Sequence, residues 1–178
     1  MSRDLNILFA GFGGQGILFA GKLVAYAGLI EGRELSWLPS YGPEMRGGTA
    51  NCSVCLSDEP IGSPLVVEPD VLVAMNQPSL DKFFADVVPG GIVIVDSTMV
   101  KNVPERDDVT IYSIAATSVA EDSDLKGLAN VILLGKVFAE AGFCSAETLD
   151  EALHKCIPPK RAKLLEPNNR ALAIGMKS

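Results

Sequence analysis

The sequence predicts an α/β fold: a three-layer α/β/α sandwich around a mixed, Rossmann-like sheet, with a helical C-terminal third. Three observations predict it. Short apolar runs alternate with helical segments early in the chain, the pattern of strands joined by crossover helices. Ile92–Val95 is four apolar residues without a polar break, as in a strand covered on both faces. The passage from Glu34–Leu38 to Thr49–Leu56 reads as a hairpin, which makes the sheet mixed rather than purely parallel.

The elements follow in order. Leu5–Ala10 is an apolar run and reads as a buried strand. Gly11–Gly16 is a glycine loop. Ile17–Ile30 is apolar almost all round, with Lys22 and Tyr26 as the main breaks, so it reads as a helix buried on most of its surface. Glu34–Leu38 and Thr49–Leu56 are strands, separated by a loop rich in Gly and Pro and followed by the turn Ser57-Asp58-Glu59-Pro60. Asp70–Met75 is a strand of β-branched and apolar residues, Pro78–Val87 a helix, Ile92–Val95 and Val109–Ile114 further strands. Lys101–Asp108 is polar and reads as a mobile loop. Helices then fill Leu128–Ala141, Ala146–Cys156 with Ser145 as N-cap, and Lys160–Met176, which Pro167 is expected to break or kink.

Length and composition bound the function. At 178 residues and roughly 150 residues per domain the chain is a single domain, residues 1–178. Its formal net charge of −7 argues against nucleic acid and anionic membrane as partners, because both need a basic footprint. The most apolar stretches fall short of the ~20 residues of a membrane span, and no signal peptide is visible, so a cytoplasmic location is expected. The charge is uneven: the segment from Glu151 onward carries six basic and two acidic side chains, net +4, against −11 before it. A solvated helix explains this; docking to an acidic partner is the sharper reading.

Four cysteines do not make a disulfide scaffold. Cys52 and Cys55 form a CxxC pair, but within a predicted strand residues three apart point to opposite faces. A zinc or redox pair needs a turn or helix start instead. The spacing CxxCxxCxxxCP of a ferredoxin-type cluster is absent.

Gly11-Phe12-Gly13-Gly14-Gln15-Gly16 matches G-x-G-x-x-G between a strand and a helix. Glycines allow a tight turn and a close backbone approach, and the following helix N-terminus attracts an anion. The dinucleotide fingerprint also needs an acidic residue about 20 positions later, at the tip of the second strand. That tip is Trp37-Leu38-Pro39, which weakens an NAD-dependent dehydrogenase reading. Two readings stand: a glycine turn required by packing, and a loop that binds another phosphate or a partner backbone.

A second loop, Ser40–Gly48, carries Tyr41, Glu44, Met45 and Arg46 among Gly and Pro. It is either an ordinary surface turn or a recognition loop. Asn76-Gln77 and Asp96-Ser97-Thr98 follow two predicted strands. If those strands run parallel to the first, both patches share an edge with the glycine loop, where open α/β sheets bind ligands. Asn76 and Ser97 serve equally as caps of the next helix or turn. A nucleophile elbow, a P-loop lysine and a pair of carboxylates suited to acid–base work are all missing. The lone His154 reads as solvated.

The segments GFGGQG at Gly11–Gly16, SYGPEMRGGTAN at Ser40–Asn51, SDEPIGSP at Ser57–Pro64, PDVLVAMNQPSLDKF at Pro69–Phe83 and PGGIVIVDS at Pro89–Ser97 together resemble the gamma subunit of 2-oxoacid:ferredoxin oxidoreductases. Ala116-Thr117, Ala120, Asn130 and Leu134-Gly135 fit as well. The resemblance implies a non-autonomous subunit of an enzyme that decarboxylates a 2-oxoacid on thiamine diphosphate with Mg. Electrons pass through iron–sulfur clusters to ferredoxin, and an acyl-CoA is released. It implies alpha, beta and delta-type partner subunits, with thiamine and clusters held by them rather than by this chain. Gly11, Gly13, Gly14, Gln15, Gly16, Tyr41, Arg46 and Asn76 would face CoA or the catalytic subunits. Arg46 would pair with a phosphate or carboxylate, and Gln15 and Asn76 would supply neutral hydrogen bonds. Phe12 and the SYGPEMRGGTAN loop look more like the 2-oxoglutarate and branched-chain types than the pyruvate type, with indolepyruvate last. A nucleotide-binding regulatory or scaffold module without chemistry is the alternative.

Overall fold

The computed structural model describes residues 4–40 and 50–178. Six strands form one mixed sheet: β1 Leu5–Gly11, β2 Glu34–Ser40, β3 Ala50–Ser57, β4 Val71–Ala74, β5 Ile92–Asp96 and β6 Thr110–Ile114. Their order is β2-β3-β1-β4-β5-β6. β1, β4, β5 and β6 run parallel, and β3 is antiparallel to both β1 and β2. The expected mixed sheet, with helices on both faces, is the sheet observed. β2 is an edge strand, so Pro39 removes no ladder donor that an interior strand would need.

Alternation along the strands divides the apolar residues between two cores. Ile7, Phe9, Cys52, Val54, Val73 and Ile94 face one core. It is covered by α1 Ile17–Ile30, α3 Ala116–Asp122, α4 Ala129–Ala141, α5 Ala146–Cys156 and α6 Leu165–Lys177. Leu8, Cys55, Leu72, Ala74, Val93 and Val95 face the other, covered by α2 Gln77–Phe83 and the 3-10 helix Phe84–Asp86. Cys52 and Cys55 therefore lie on opposite faces of β3, as strand geometry requires.

α1 lies close against β3. A Cβ on Gly21 would meet the Cys52 sulfur at 2.5 Å, and one on Gly28 would collide with Leu56. α4 is buried nearly all round, from Ala129 to Val137. Its one buried cation, Lys136, is held by Glu140 at 2.7 Å and by the Tyr112 ring, 4.2 Å from the ring centre. On α5, His154 is exposed and its Nδ1 stands 2.9 Å from the Asp150 carbonyl oxygen.

Two expectations differ from the structure, and one helix stands where none is predicted. The segment after β6 forms a helix, α3, whose first turn has no local side-chain cap. Asp96 supplies one from β5: its buried carboxylate accepts hydrogen bonds from the Thr117 amide and hydroxyl. The last helical stretch divides at Leu164 into a 3-10 helix, Pro159–Leu164, and α6. Pro167 thus sits in the first turn of α6, where a missing N–H leaves no intrahelical bond unmade, and it does not break the helix. Lys101–Asp108 is not a free loop. Gln77 Oε1 accepts from the amides of Lys101 and Asn102 at 3.0 and 2.9 Å. Arg106 donates to the Phe84 and Val87 carbonyls at 2.9 and 3.0 Å and pairs with Asp108 at 2.7 Å.

Candidate functional site

Parallel pairing of β1, β4 and β5 sets their carboxyl ends side by side. The glycine loop, Asn76-Gln77 and Asp96-Ser97-Thr98 consequently share one edge of the sheet. The antiparallel hairpin adds a fourth component. Gly11 pairs with Ala50, and Ser40 with Asn51, so both residues flanking the second loop lie on this same edge. Tyr41 and Arg46, with Glu44 and Met45, fall outside the described residues.

The glycine loop is shaped by an amide relay. Gln15 Oε1 accepts from the Phe12 amide at 2.6 Å and from Asn76 Nδ2 at 3.2 Å. Gln15 Nε2 donates to the Met75 carbonyl at 3.1 Å. Asn76 Oδ1 accepts from the Ser79 amide at 2.9 Å, which makes Asn76 the N-cap of α2. Asn76 is 1% exposed. Both side chains therefore bind the loop to the end of β4, and the cap reading of Asn76 is the one the geometry carries. Ser97 makes no cap; the neighbouring Asp96 does.

Gly16 is the N-cap of α1 with φ +76°, and no side chain caps that helix. Gly14 also has a positive φ, +92°. Both conformations suit glycine and strain other residues. Gly11 has no room for a side chain, since a Cβ there would meet Gln15 Oε1 at 2.7 Å and Met75 Cβ at 3.2 Å. Gly13, Gly14 and Gly16, with Ala50, line a shallow pocket on the outer side of the loop. A second pocket lies on the other side, where Gly14 and Gln15 meet Met75, Met99, Thr117 and Lys126.

The topology also decides the dinucleotide question. The fingerprint needs a parallel strand beside β1 that ends in an acid. The parallel neighbour here is β4, which ends in Ala74-Met75-Asn76, and the other neighbour is the antiparallel β3. β2 does not touch β1. Among the described residues no carboxylate ends either strand beside β1.

Three of the four cysteines are held as thiols by burial. Burial pushes the Cys52 thiol up to about 12, Cys144 to about 12 and Cys156 to about 11. Thiols so shifted stay protonated at neutral pH and are poor nucleophiles and ligands.

Sequence reasoning missed the Asp96–Thr117 pair and the bond from Asn130 Nδ2 to the Gly16 carbonyl at 2.9 Å. Only a strand-end acid and a polar residue in an apolar helix hinted at them.

Comparison with known proteins places this architecture. The family model described as pyruvate ferredoxin/flavodoxin oxidoreductase matches residues 6–178. The ketoisovalerate oxidoreductase subunit VorA of Methanothermobacter thermautotrophicus is 41% identical over 174 residues, covering 97% of this chain and 36% of that protein. The 2-oxoglutarate synthase subunit KorC of Methanocaldococcus jannaschii is 40% identical over 157 residues, 86% of this chain and 83% of that protein. The chain thus spans about a third of the VorA relative and most of the KorC relative. The crystal structure of the keto/oxoacid ferredoxin oxidoreductase gamma subunit from Geobacter sulfurreducens superposes with a TM-score of 0.84 at 30% identity, over 97% of this chain and 96% of that one. The 2-oxoglutarate:ferredoxin oxidoreductase of Magnetococcus marinus, solved with 2-oxoglutarate, coenzyme A and succinyl-CoA, superposes at 0.85 with 26% identity, over 98% of this chain and 31% of that one. With a family match over nearly its whole length and a mixed sheet of the same form, the chain belongs to the pyruvate ferredoxin/flavodoxin oxidoreductase family.

Proposed function

We propose that this chain is the gamma-type subunit of a multi-subunit 2-oxoacid:ferredoxin oxidoreductase. It would contribute to oxidative decarboxylation of a 2-oxoacid to an acyl-CoA, with electrons passed to ferredoxin. The observation that carries this reading is the KorC match: a relative of similar length, itself named as a subunit, shares 40% of aligned residues. A 2-oxoglutarate or branched-chain 2-oxoacid is favoured, because the relatives above are named for 2-oxoglutarate and ketoisovalerate.

Among the described residues the donor set does not fit an iron–sulfur cluster or the metal of thiamine diphosphate. Cys52 and Cys55 face opposite cores. Among the described residues no three His, Cys, Asp or Glu side chains stand together to hold a metal ion. Those groups are assigned to alpha, beta and delta-type partners.

The glycine-loop edge does fit a phosphate-bearing cofactor such as CoA. Gly14 leaves open space beside the backbone, and α1 begins at Gly16 without a side-chain cap. Gln15 and Asn76 hold that loop in shape. Tyr41 and Arg46 would complete the edge, Arg46 by pairing with a phosphate or carboxylate.

The test is co-purification. Tagged chain expressed in its host is expected to bring down a thiamine-containing partner and 2-oxoacid-dependent ferredoxin reduction. Recovery of the chain without such a partner would overturn the reading. An Arg46→Ala complex with unchanged assembly and unchanged CoA dependence would sink the role of Arg46.

A further inference from the structure

We propose that β2 is a docking strand. Its free edge takes up an extended segment of a partner subunit, which seats apolar side chains in the groove between β2 and α1 and brings a carboxylate to Lys22.

The backbone calls for an extended occupant. β2 pairs with β3 through all seven of its residues, and among the described residues no strand lies on its other side. The backbone groups that alternate with those bonded to β3 therefore point outward and unpaired. Free edges are usually guarded by charged side chains, prolines or bulges. Glu34 and Pro39 stand near the ends of β2, and Leu35-Ser36-Trp37-Leu38 between them carries no charge.

Both side-chain rows of this strand are unfinished. Leu35 and Trp37 line a groove of about 350 Å³ with Lys22, Ala25, Tyr26 and Leu29 of α1. Those four helix residues follow the spacing of a single helical stripe. Leu29 is 58% exposed and Trp37 38%. On the other face of the strand Leu38 is also 38% exposed. The Trp37 ring is held against α1, since a Cβ on Gly21 would lie 3.2 Å from its indole nitrogen. An added strand continues both rows at once, because its side chains alternate between the two faces as those of β2 do.

Charge selects the partner. Lys22 is half-buried in this apolar groove. Its ammonium stands over the Tyr26 ring, 5.5 Å from the centre. Among the described residues no carboxylate pairs with it. Such a cation asks for an acid from the occupant. A second copy of this chain does not supply one by pairing its own β2. Strand residues opposed across a ladder share a sheet face. Leu35 and Trp37 turn toward α1, so Glu34, the one acid of β2, falls on the opposite face from Lys22. The occupant is instead a strand with an acidic residue on the same face as its apolar ones.

This deepens the subunit reading above and rests on it for the partner. Hydrogen exchange on the tagged chain, alone and with its thiamine-containing partner, tests it. Amides within Glu34–Leu38 should exchange at least tenfold more slowly in the complex, because an added strand bonds them; a loop or helix lying over the groove would leave them unbonded. Lys22→Glu should lower partner recovery about tenfold, and Lys22→Arg should keep it. Fluorescence of Trp37, the sole tryptophan, checks that each variant stays folded. Partner recovered with the β2 amides exchanging as in the free chain overturns this inference alone, as does a folded Lys22→Glu chain that recovers the partner undiminished. Protection of those amides in a dimer of the chain by itself makes a second copy the occupant and also overturns it. Absence of any partner overturns the subunit reading, and this inference with it.

Discussion

Asn130 Nδ2, in the first turn of α4, donates to the Gly16 carbonyl at 2.9 Å, across 114 residues of sequence. It also stands 2.5 Å from where a Cβ on residue 16 would be. The bond joins the glycine loop to the C-terminal helices, and the close approach admits glycine alone. Gly16→Ala meets both this clash and a φ of +76°, a conformation that costs a non-glycine residue roughly 1–3 kcal/mol. Urea unfolding should show a loss of at least that size. A Gly16→Ala protein as stable as the parent would mean α1 and α4 are not held as described.

Gln15 makes three hydrogen bonds that shape the loop, to Phe12, Met75 and Asn76. Gln15→Ala removes all three and should cost about 1–3 kcal/mol, the usual penalty for leaving part-buried partners unpaired. The specific readout is hydrogen exchange at the Phe12 amide, whose acceptor is lost. That amide should exchange much faster in the variant, while amides at the centre of β1 keep their protection.

The α4–α6 crossing depends on two glycines in contact. A Cβ on Gly175 would overlap the Ile132 carbonyl, and one on Gly135 the Leu172 carbonyl. Both obstacles are backbone and cannot rotate away. Gly175→Ala must push the helices apart, at a cost of roughly 3 kcal/mol, the upper end of ordinary overpacking. A fall in the thermal midpoint of several degrees is expected, and an unchanged midpoint would show that the helices do not pack at this distance.

Two acids tie secondary elements together. Glu31 accepts from the Thr148 hydroxyl at 2.6 Å and the Ser145 amide at 3.0 Å, which holds its carboxyl below the ordinary value of 4.5. Lys136 and then Tyr112 do the same for Glu140. With the folded values depressed, this stabilisation is fully present above the unfolded value of 4.5 and is lost as pH falls through the lower folded values. Stability measured from pH 6 down to pH 3 should therefore decline. Glu31→Gln should flatten part of that slope, and a parallel slope would remove Glu31 from the account.

Much of this was legible in the chain. Short uninterrupted apolar runs mark the central strands, because a strand covered on both faces needs apolar side chains on each, and the hairpin between Glu34 and Leu56 makes the sheet mixed. The CxxC pair could be set aside from strand geometry alone. The glycine loop was legible as a strand–turn–helix junction, since such a turn needs glycines at that spacing. The short helix α3 was not, because its N-terminal partner, Asp96, lies 21 residues upstream of Thr117. Pro167 misled for a related reason: proline is unfavourable inside a helix and harmless in its first turn, and only the 3-10 segment before α6 decides which turn it occupies.

The sequence by itself determined most of the elements, the helices on both faces of the sheet and the family, all properties of local pattern and of motif order. The tertiary structure alone decided what the polar residues do. Gln15 and Asn76 look like ligands in the chain and prove to be bonded to each other, while Asn130 proves to tie the glycine loop to α4 across 114 residues. A hydrogen bond is satisfied or left open by atoms brought together over long separations, and no periodicity in the chain encodes which partner arrives.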